Sequence, residues 1–177
     1  MQLTRCAVQK TILSCATFWA VVGLSLAPLA ARAQTSCYGQ LAEHLRACTP
    51  HSCLTLNPIQ PVPPQKQEIV GLQQGSCAYL IHMEAPMQIS CLLSQVERES
   101  LAHDLELWGK YELAVHKRHV RTVESDPQTG EEATKTTLKI DGEDYVLNGA
   151  LDRALEAGSC RFYDTQNKVY LEYSAEE

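Results

Sequence analysis

The sequence predicts a disulfide-stabilised α+β fold. In chain order it reads as an N-terminal helix, an antiparallel β-meander, a long helix, and a small lobe made of a β-hairpin, a helix and a second β-hairpin. Three observations carry that expectation. Six cysteines follow an export-type leader, apolar residues recur at three- and four-residue steps in two segments, and they alternate in several others. With 45% apolar and 20% charged residues over 177 positions, collagen-like, low-complexity and wholly disordered chains are excluded.

Arg5 and Lys10 precede a run, residues 11–31, that holds no charged side chain and closes on Ala31-Arg32-Ala33. A basic start, an apolar centre and a small-residue end are the parts of a secretory signal peptide, so residues 1–33 are expected to be removed ahead of Gln34. An uncleaved membrane anchor needs a similar apolar length, but Pro28 and the A-x-A ending favour cleavage. Leu13-Ser14-Cys15 has the order of a lipoprotein site, yet a cut there would strand the apolar run on the product. Beyond the leader, 12 cations face 21 acids, a net charge of −9. Nucleic acid is therefore not an expected partner, because phosphates are held by clustered Lys and Arg.

Cys6 and Cys15 depart with the leader, and Cys37, Cys48, Cys53, Cys77, Cys91 and Cys160 remain. An even six in an oxidising compartment predicts three disulfides. Their spacings of 11, 5, 24, 14 and 69 contain no C-x-x-C pair, so no metal or other cofactor is expected.

The first helix rests on Tyr38, Leu41, Leu45 and Cys48, one face at helical steps. Cys37 and Cys48 lie about 16 Å apart along such a helix, beyond the roughly 7 Å limit for a bridge. Thr49-Pro50-His51-Ser52 ends it, and Cys53 leads into the proline-rich stretch 57–64, an extended connection. The meander follows as Glu68–Leu72, Cys77–Met83 and Met87–Leu93, with turns at Gln73-Gln74-Gly75 and Glu84-Ala85-Pro86. Cys77 and Cys91 share a face, and a turn centred near Ala85 predicts a cross-strand Cys77–Cys91 bridge unless the register shifts by two.

Ser94-Gln95-Val96-Glu97 announces the long helix as a capping box. Leu101, Leu105, Trp108, Tyr111 and Val115 form its expected buried stripe, Gly109 loosens its middle, and His116-Lys117-Arg118-His119-Val120-Arg121 closes it, where cations complement the helix dipole. A His116/His119 metal pair is the competing use of that cluster. After an exposed turn at 126–130, Thr136, Leu138 and Ile140 alternate, and Asp141-Gly142 turns the chain toward Tyr145-Val146-Leu147. Asn148 caps a short helix with Leu151 and Leu155 buried and Gly158 at its end. The last hairpin spans Ser159–Asp164 and Lys168–Tyr173.

The expected domain organisation is a cysteine-rich α+β lobe at 34–125 and a β-rich lobe at 126–177 packed on it. Five of the six cysteines belong to the first lobe, so pairing within one chain requires Cys160 to reach back and clamp the lobes together. The alternatives are pairing with a second molecule, disfavoured because Cys160 shares the inward face of its strand with Phe162, and a buried free thiol.

The run from Cys37 through Cys48-Thr49-Pro50-His51-Ser52-Cys53, with Ile69-Val70-Gly71-Leu72, Gly75-Ser76-Cys77, Met87 and Cys91 ahead of a capped helix, resembles an uncharacterised family of small exported cysteine-rich proteins of Gram-negative bacteria. The resemblance covers residues 37–115. It implies a periplasmic location and no catalytic residue.

No G-x-S-x-G elbow, H-E-x-x-H helix, Walker loop or dinucleotide fingerprint occurs, and Gly71-Leu72-Gln73-Gln74-Gly75 lacks the lysine of a phosphate cradle. Glu97/Glu99, Asp104/Glu106 and Glu131/Glu132 have the residue types of acid–base pairs, but on a helix or strand face such acids are solvated. His44, His82 and His103 read as surface or half-buried polar residues; His51, between cysteines, is the histidine with the most unusual setting. No catalytic, cofactor-binding or metal residue is assigned. The expected function is that of an exported, periplasmic or secreted, non-catalytic binding or scaffold protein, accessory to an envelope or secretion assembly, with a protein partner in the envelope and no membrane span after cleavage. The alternatives are an inhibitor of an extracellular hydrolase, presenting Thr49–Ser52 to a cleft, and a small periplasmic hydrolase.

Overall fold

A computed structural model describes residues 36–57, 63–125 and 132–171. The leader and its expected cleavage point lie outside them, as do Pro58 and Pro61 of the proline stretch, the expected turn at 126–130, and Tyr173.

Helix α1 (Cys37–Ala47) starts where the Ser36 hydroxyl accepts from the Gly39 N–H at 3.0 Å. It buries Tyr38, Leu41, Ala42 and Leu45 and ends on Cys48 in a left-handed conformation, φ 49°. A strand then forms that the sequence reading missed: β1 (His51–Thr55) pairs antiparallel with β2 (Gln65–Gln73), His51 opposite Ile69. Five residues at a sheet edge carry too little periodicity to stand out; the pairing with β2 makes them a strand. β3 (Ser76–His82) and β4 (Met87–Leu93) complete the meander. Gln74 and Gly75 both take positive φ, 52° and 87°, the geometry of a two-residue hairpin turn.

The capping box is present at the start of α2 (Gln95–Leu113). Its far end differs from expectation. The helix stops at Leu113, and Lys117–Ser125 is a strand, β5, paired along nine residues with β6 (Glu132–Ile140). His116 to Arg121 are thus not a helical carboxyl terminus, and Val115 is 83% exposed instead of buried. Val120, Thr122 and Val123 lose side-chain freedom in a helix and fit a pleated surface, and a partner strand of equal length is available. β6 continues through the positive-φ turn Asp141-Gly142 into β7 (Glu143–Val146).

Helix α3 (Ala150–Glu156) begins on Gly149, not on Asn148, and has no cap from its own side chains. Ala150, Ala154 and Leu155 are buried, and Leu151 is half-buried. β8 (Cys160–Asp164) and β9 (Val169–Leu171) then join the first sheet, whose order is β1-β2-β3-β4-β8-β9; β5-β6-β7 is a separate three-stranded sheet.

The bridges are Cys37–Cys53, Cys48–Cys77 and Cys91–Cys160. Cys77–Cys91 does not form because the β3/β4 register is shifted by two residues, with Cys77 opposite Leu93 and Tyr79 opposite Cys91. Cys160 does reach back, and it lies directly opposite Cys91 across β4 and β8. The main core packs Leu41, Leu45, Leu101 and Leu105 of the helices onto Ile69, Tyr79, Ile81, Ile89 and Leu93 of the sheet. Gly109 has a packing role in α2. A Cβ there would lie 2.5 Å from the Ser36 hydroxyl and 3.0 Å from the Gly39 amide nitrogen, so the missing side chain is what lets α2 approach the start of α1.

Candidate functional site

A cleft of about 460 Å³ opens beside α2. Alternation puts Gln67, Tyr79, Ile81 and Ile89 on one face of β2–β4, and they form its floor; Ile81 is opposite both Gln67 and Ile89 in the ladder. Leu101, Asp104, Leu105 and Trp108 fall at steps of three and four, hence on one stripe of α2, and make one wall. His119 and Arg121 of β5 with Thr134 and Thr136 of β6 make a second wall, and Leu147, Gly149, Ala150, Leu151 and Asp152 add to the lining.

Most polar groups of the floor have partners within the protein; the Gln65 carboxamide, which also lines the cleft from β2, has none among the described residues. The Tyr79 hydroxyl donates to Gln67 Oε1, the Gln67 amide donates to the Thr55 hydroxyl at 2.8 Å, and that hydroxyl donates to the Gln65 carbonyl at 3.2 Å. Complete burial pushes the Tyr79 phenol far above the ordinary tyrosine range, so it stays a neutral donor. Tyr38, also raised chiefly by burial, donates to the Leu56 carbonyl at 2.9 Å. Asp104, 6% exposed, is an acid buried for a structural reason. Its two oxygens accept the Asn148 and Ala150 amides at 2.7 and 2.9 Å. It thereby supplies from α2 the negative cap that α3 lacks, where the helix dipole favours an anion.

The second wall differs. Arg121, exposed and opposite Thr136 in the ladder, has no ion pair or hydrogen bond among the described residues. Of the other cations on the arm, Lys135 pairs with Glu124 at 3.6 Å, Lys139 with Asp144 at 3.5 Å, and Lys117 lies over the Tyr111 ring at 5.6 Å, while Arg118, which does not line the cleft, likewise has no partner among the described residues. His119 stacks on Trp108, centroids 6.4 Å apart, and Trp108 meets Tyr111 edge-on.

Other residues singled out in the sequence have structural partners. Glu97 closes the capping box and accepts from the Ser159 hydroxyl; desolvation opposes its ionisation, but these hydrogen bonds prevail and hold it below the usual carboxylate range. Glu106 pairs with Arg46 at 2.6 Å, which lowers it likewise, and Glu99 lies 3.8 Å from the same arginine. Glu131 is outside the described residues. His51 stacks on His44, centroids 4.2 Å apart and nearly parallel; burial and that neighbour lower its pKa. Thr49–Ser52 is not a protruding loop, since His51 and Ser52 pair with Ile69 and Glu68. His116 precedes β5, so His116 and His119 do not have helical spacing. Among the described residues no three His, Cys, Asp or Glu side chains group as metal ligands, and no helix is long and apolar enough to cross a membrane.

Trp108 and His119 were legible one at a time, as core and as helix end. Their common wall with Arg121 was not. The segment shows no apolar/polar alternation; the signal it does carry is the β-branched content of Val120, Thr122 and Val123, which favours a strand over a helix end. Comparison with protein-family models, with curated proteins and with solved structures returned no match.

Proposed function

We propose that this chain is exported, is oxidised to its three-disulfide form in the periplasm or outside the cell, and acts by non-catalytic binding in the cleft beside α2. The observation that carries the reading is that the lining residues Tyr79, Gln67, Tyr38 and Asp104 are committed to one another, to Thr55 or to the backbone, leaving Ile81, Ile89, Leu101, Leu105 and Leu151 as the apolar lining. A pre-formed cleft with an apolar floor and a few polar groups at its edge is the usual form of a small-ligand site, and bracing lowers the ordering cost of binding. Native mass spectrometry of the exported protein tests it. The expected protein mass starts at Gln34 and lacks six hydrogens, with a co-purifying small molecule that Leu151→Trp displaces. A retained leader, free thiols, or an adduct indifferent to that substitution would overturn the reading.

A scaffold role has its own support. β9 ends the six-stranded sheet with Val169, Tyr170 and Leu171 all exposed, an edge that no other described strand covers and on which an envelope protein could add a strand.

A further inference from the structure

Resting on the cleft as the binding site, we infer that its ligand is a single-chain amphiphile with an anionic head, its aliphatic body on the floor and its head at Arg121. Two observations meet here. Floor and α2 wall offer Ile81, Ile89, Leu101 and Leu105, while the Tyr79 hydroxyl, the Gln67 amide and the Asp104 carboxylate among them already have partners, leaving the Gln65 carboxamide as the one side-chain amide of the floor without one among the described residues. A ligand body rich in hydroxyls or amides would find little to bond with there, whereas methylenes bury without loss.

Arg121 lines the same space from β5, without a partner among the described residues. A guanidinium at the edge of an apolar cleft binds a carboxylate or phosphate through charge-assisted, two-pronged hydrogen bonds. Thr134 and Thr136, beside it on β6, add hydroxyl donors, and His119 adds a ring nitrogen. Asp152 is the countervailing group, an exposed carboxylate on α3 that also lines the cleft. It disfavours an anion at the α3 end and so gives the ligand a direction, with the head toward the arm. The volume of about 460 Å³ suits one chain and is toward the small end of ligand sites, about 300–1,000 Å³.

Titration calorimetry of the exported, oxidised protein with dodecanoate, dodecanol and dodecyltrimethylammonium, each below its micelle concentration, decides the matter. One dodecanoate per chain is expected, at least about tenfold tighter than dodecanol. Each methylene added from octanoate to dodecanoate should tighten binding about fourfold. Arg121→Gln, a change at an exposed position, should weaken dodecanoate about tenfold and leave dodecanol unchanged. Leu151→Trp, or Met83→Trp should the first fail to fold, should weaken both.

Equal affinity for dodecanoate and dodecanol, with both lost in the cleft-filling variant, would remove the anionic head and keep the cleft. Tighter binding of the ammonium would place the charge reading at Asp152 and overturn the proposal. Absence of binding by all three would refute the amphiphile, whereas the co-purified molecule and its displacement judge the broader reading separately.

Discussion

In the six-stranded sheet with α1 and α2, covalent bonds and packing act on the same elements; in the β5–β7 sheet neither is abundant. The first region carries all three disulfides, and α1 is fastened at both ends, through Cys37 to β1 and through Cys48 to β3. Its core, which also takes in α3, contains 19 buried residues. The three-stranded arm has no disulfide and rests on Leu107 and Tyr111 of α2 and its own Leu138 and Ile140. Trp108 packs against both clusters. The floor and α2 wall of the cleft thus belong to the braced region, while Arg121, without a partner among the described residues, is carried by the arm. Local opening follows local contact density, so the difference separates a rigid contact surface from a charge-bearing wall that is able to adjust.

The largest expected effect comes from breaking the braced region. Replacing Cys91 and Cys160 together by serine opens a loop of 69 residues and should cost about 4 kcal/mol in a guanidinium titration by the loop-entropy model. A loss under about 1 kcal/mol would mean that packing alone holds this region. Next is the arm: Leu138, 0% exposed, sits in a cluster of four. Leu138→Ala should cost the arm about 3 kcal/mol and speed hydrogen exchange in β5–β7 while the amides of β2–β4 keep their protection. Uniform acceleration across both sheets would show one cooperative unit and erase the distinction.

The smallest effect is that of pH, and it falls on the braced side, where His51 and Glu97 sit. The folded-state pKa of His51 is below its usual 6.5, so on acidification the unfolded chain takes up the proton first and stability falls as pH drops through the ordinary histidine range. The folded-state pKa of Glu97 is below its usual 4.5. Its contribution is complete above the unfolded value and is lost as pH falls through the folded one. Thermal melts between pH 8 and pH 3 should therefore descend in two steps, with His51→Phe removing the upper one.

Several elements could be read from residues alone, since their causes are local. Ser94 and Glu97 satisfy amides three residues away, Tyr38, Leu41 and Leu45 share a helical face, and Cys77, Tyr79 and Ile81 share a strand face. The errors arose where two local readings compete. Lys117–Ser125 has basic residues suited to a helix end and β-branched residues suited to a strand, and a partner in β6 decides between them. Cys77 and Cys91 were correctly placed on one face, but a shift of two residues preserves the face and changes the neighbour, so alternation is blind to it. Asp104 read as a solvated acid because its partners, the amides at 148 and 150, are 44 and 46 residues away.

By itself the sequence determined the fold class, the capping box, the faces of the meander strands and, through the parity of its cysteines, that Cys160 must bond across the chain if every cysteine pairs within it. These follow from propensities and periods spanning a few residues, and from counting. Only the tertiary structure decided which cysteines pair, where α2 gives way to β5, and that Arg121 lines the same cleft as Ile81, Ile89 and Leu101. Each of those depends on register and on partners distant along the chain, whose contact free energies no local pattern contains.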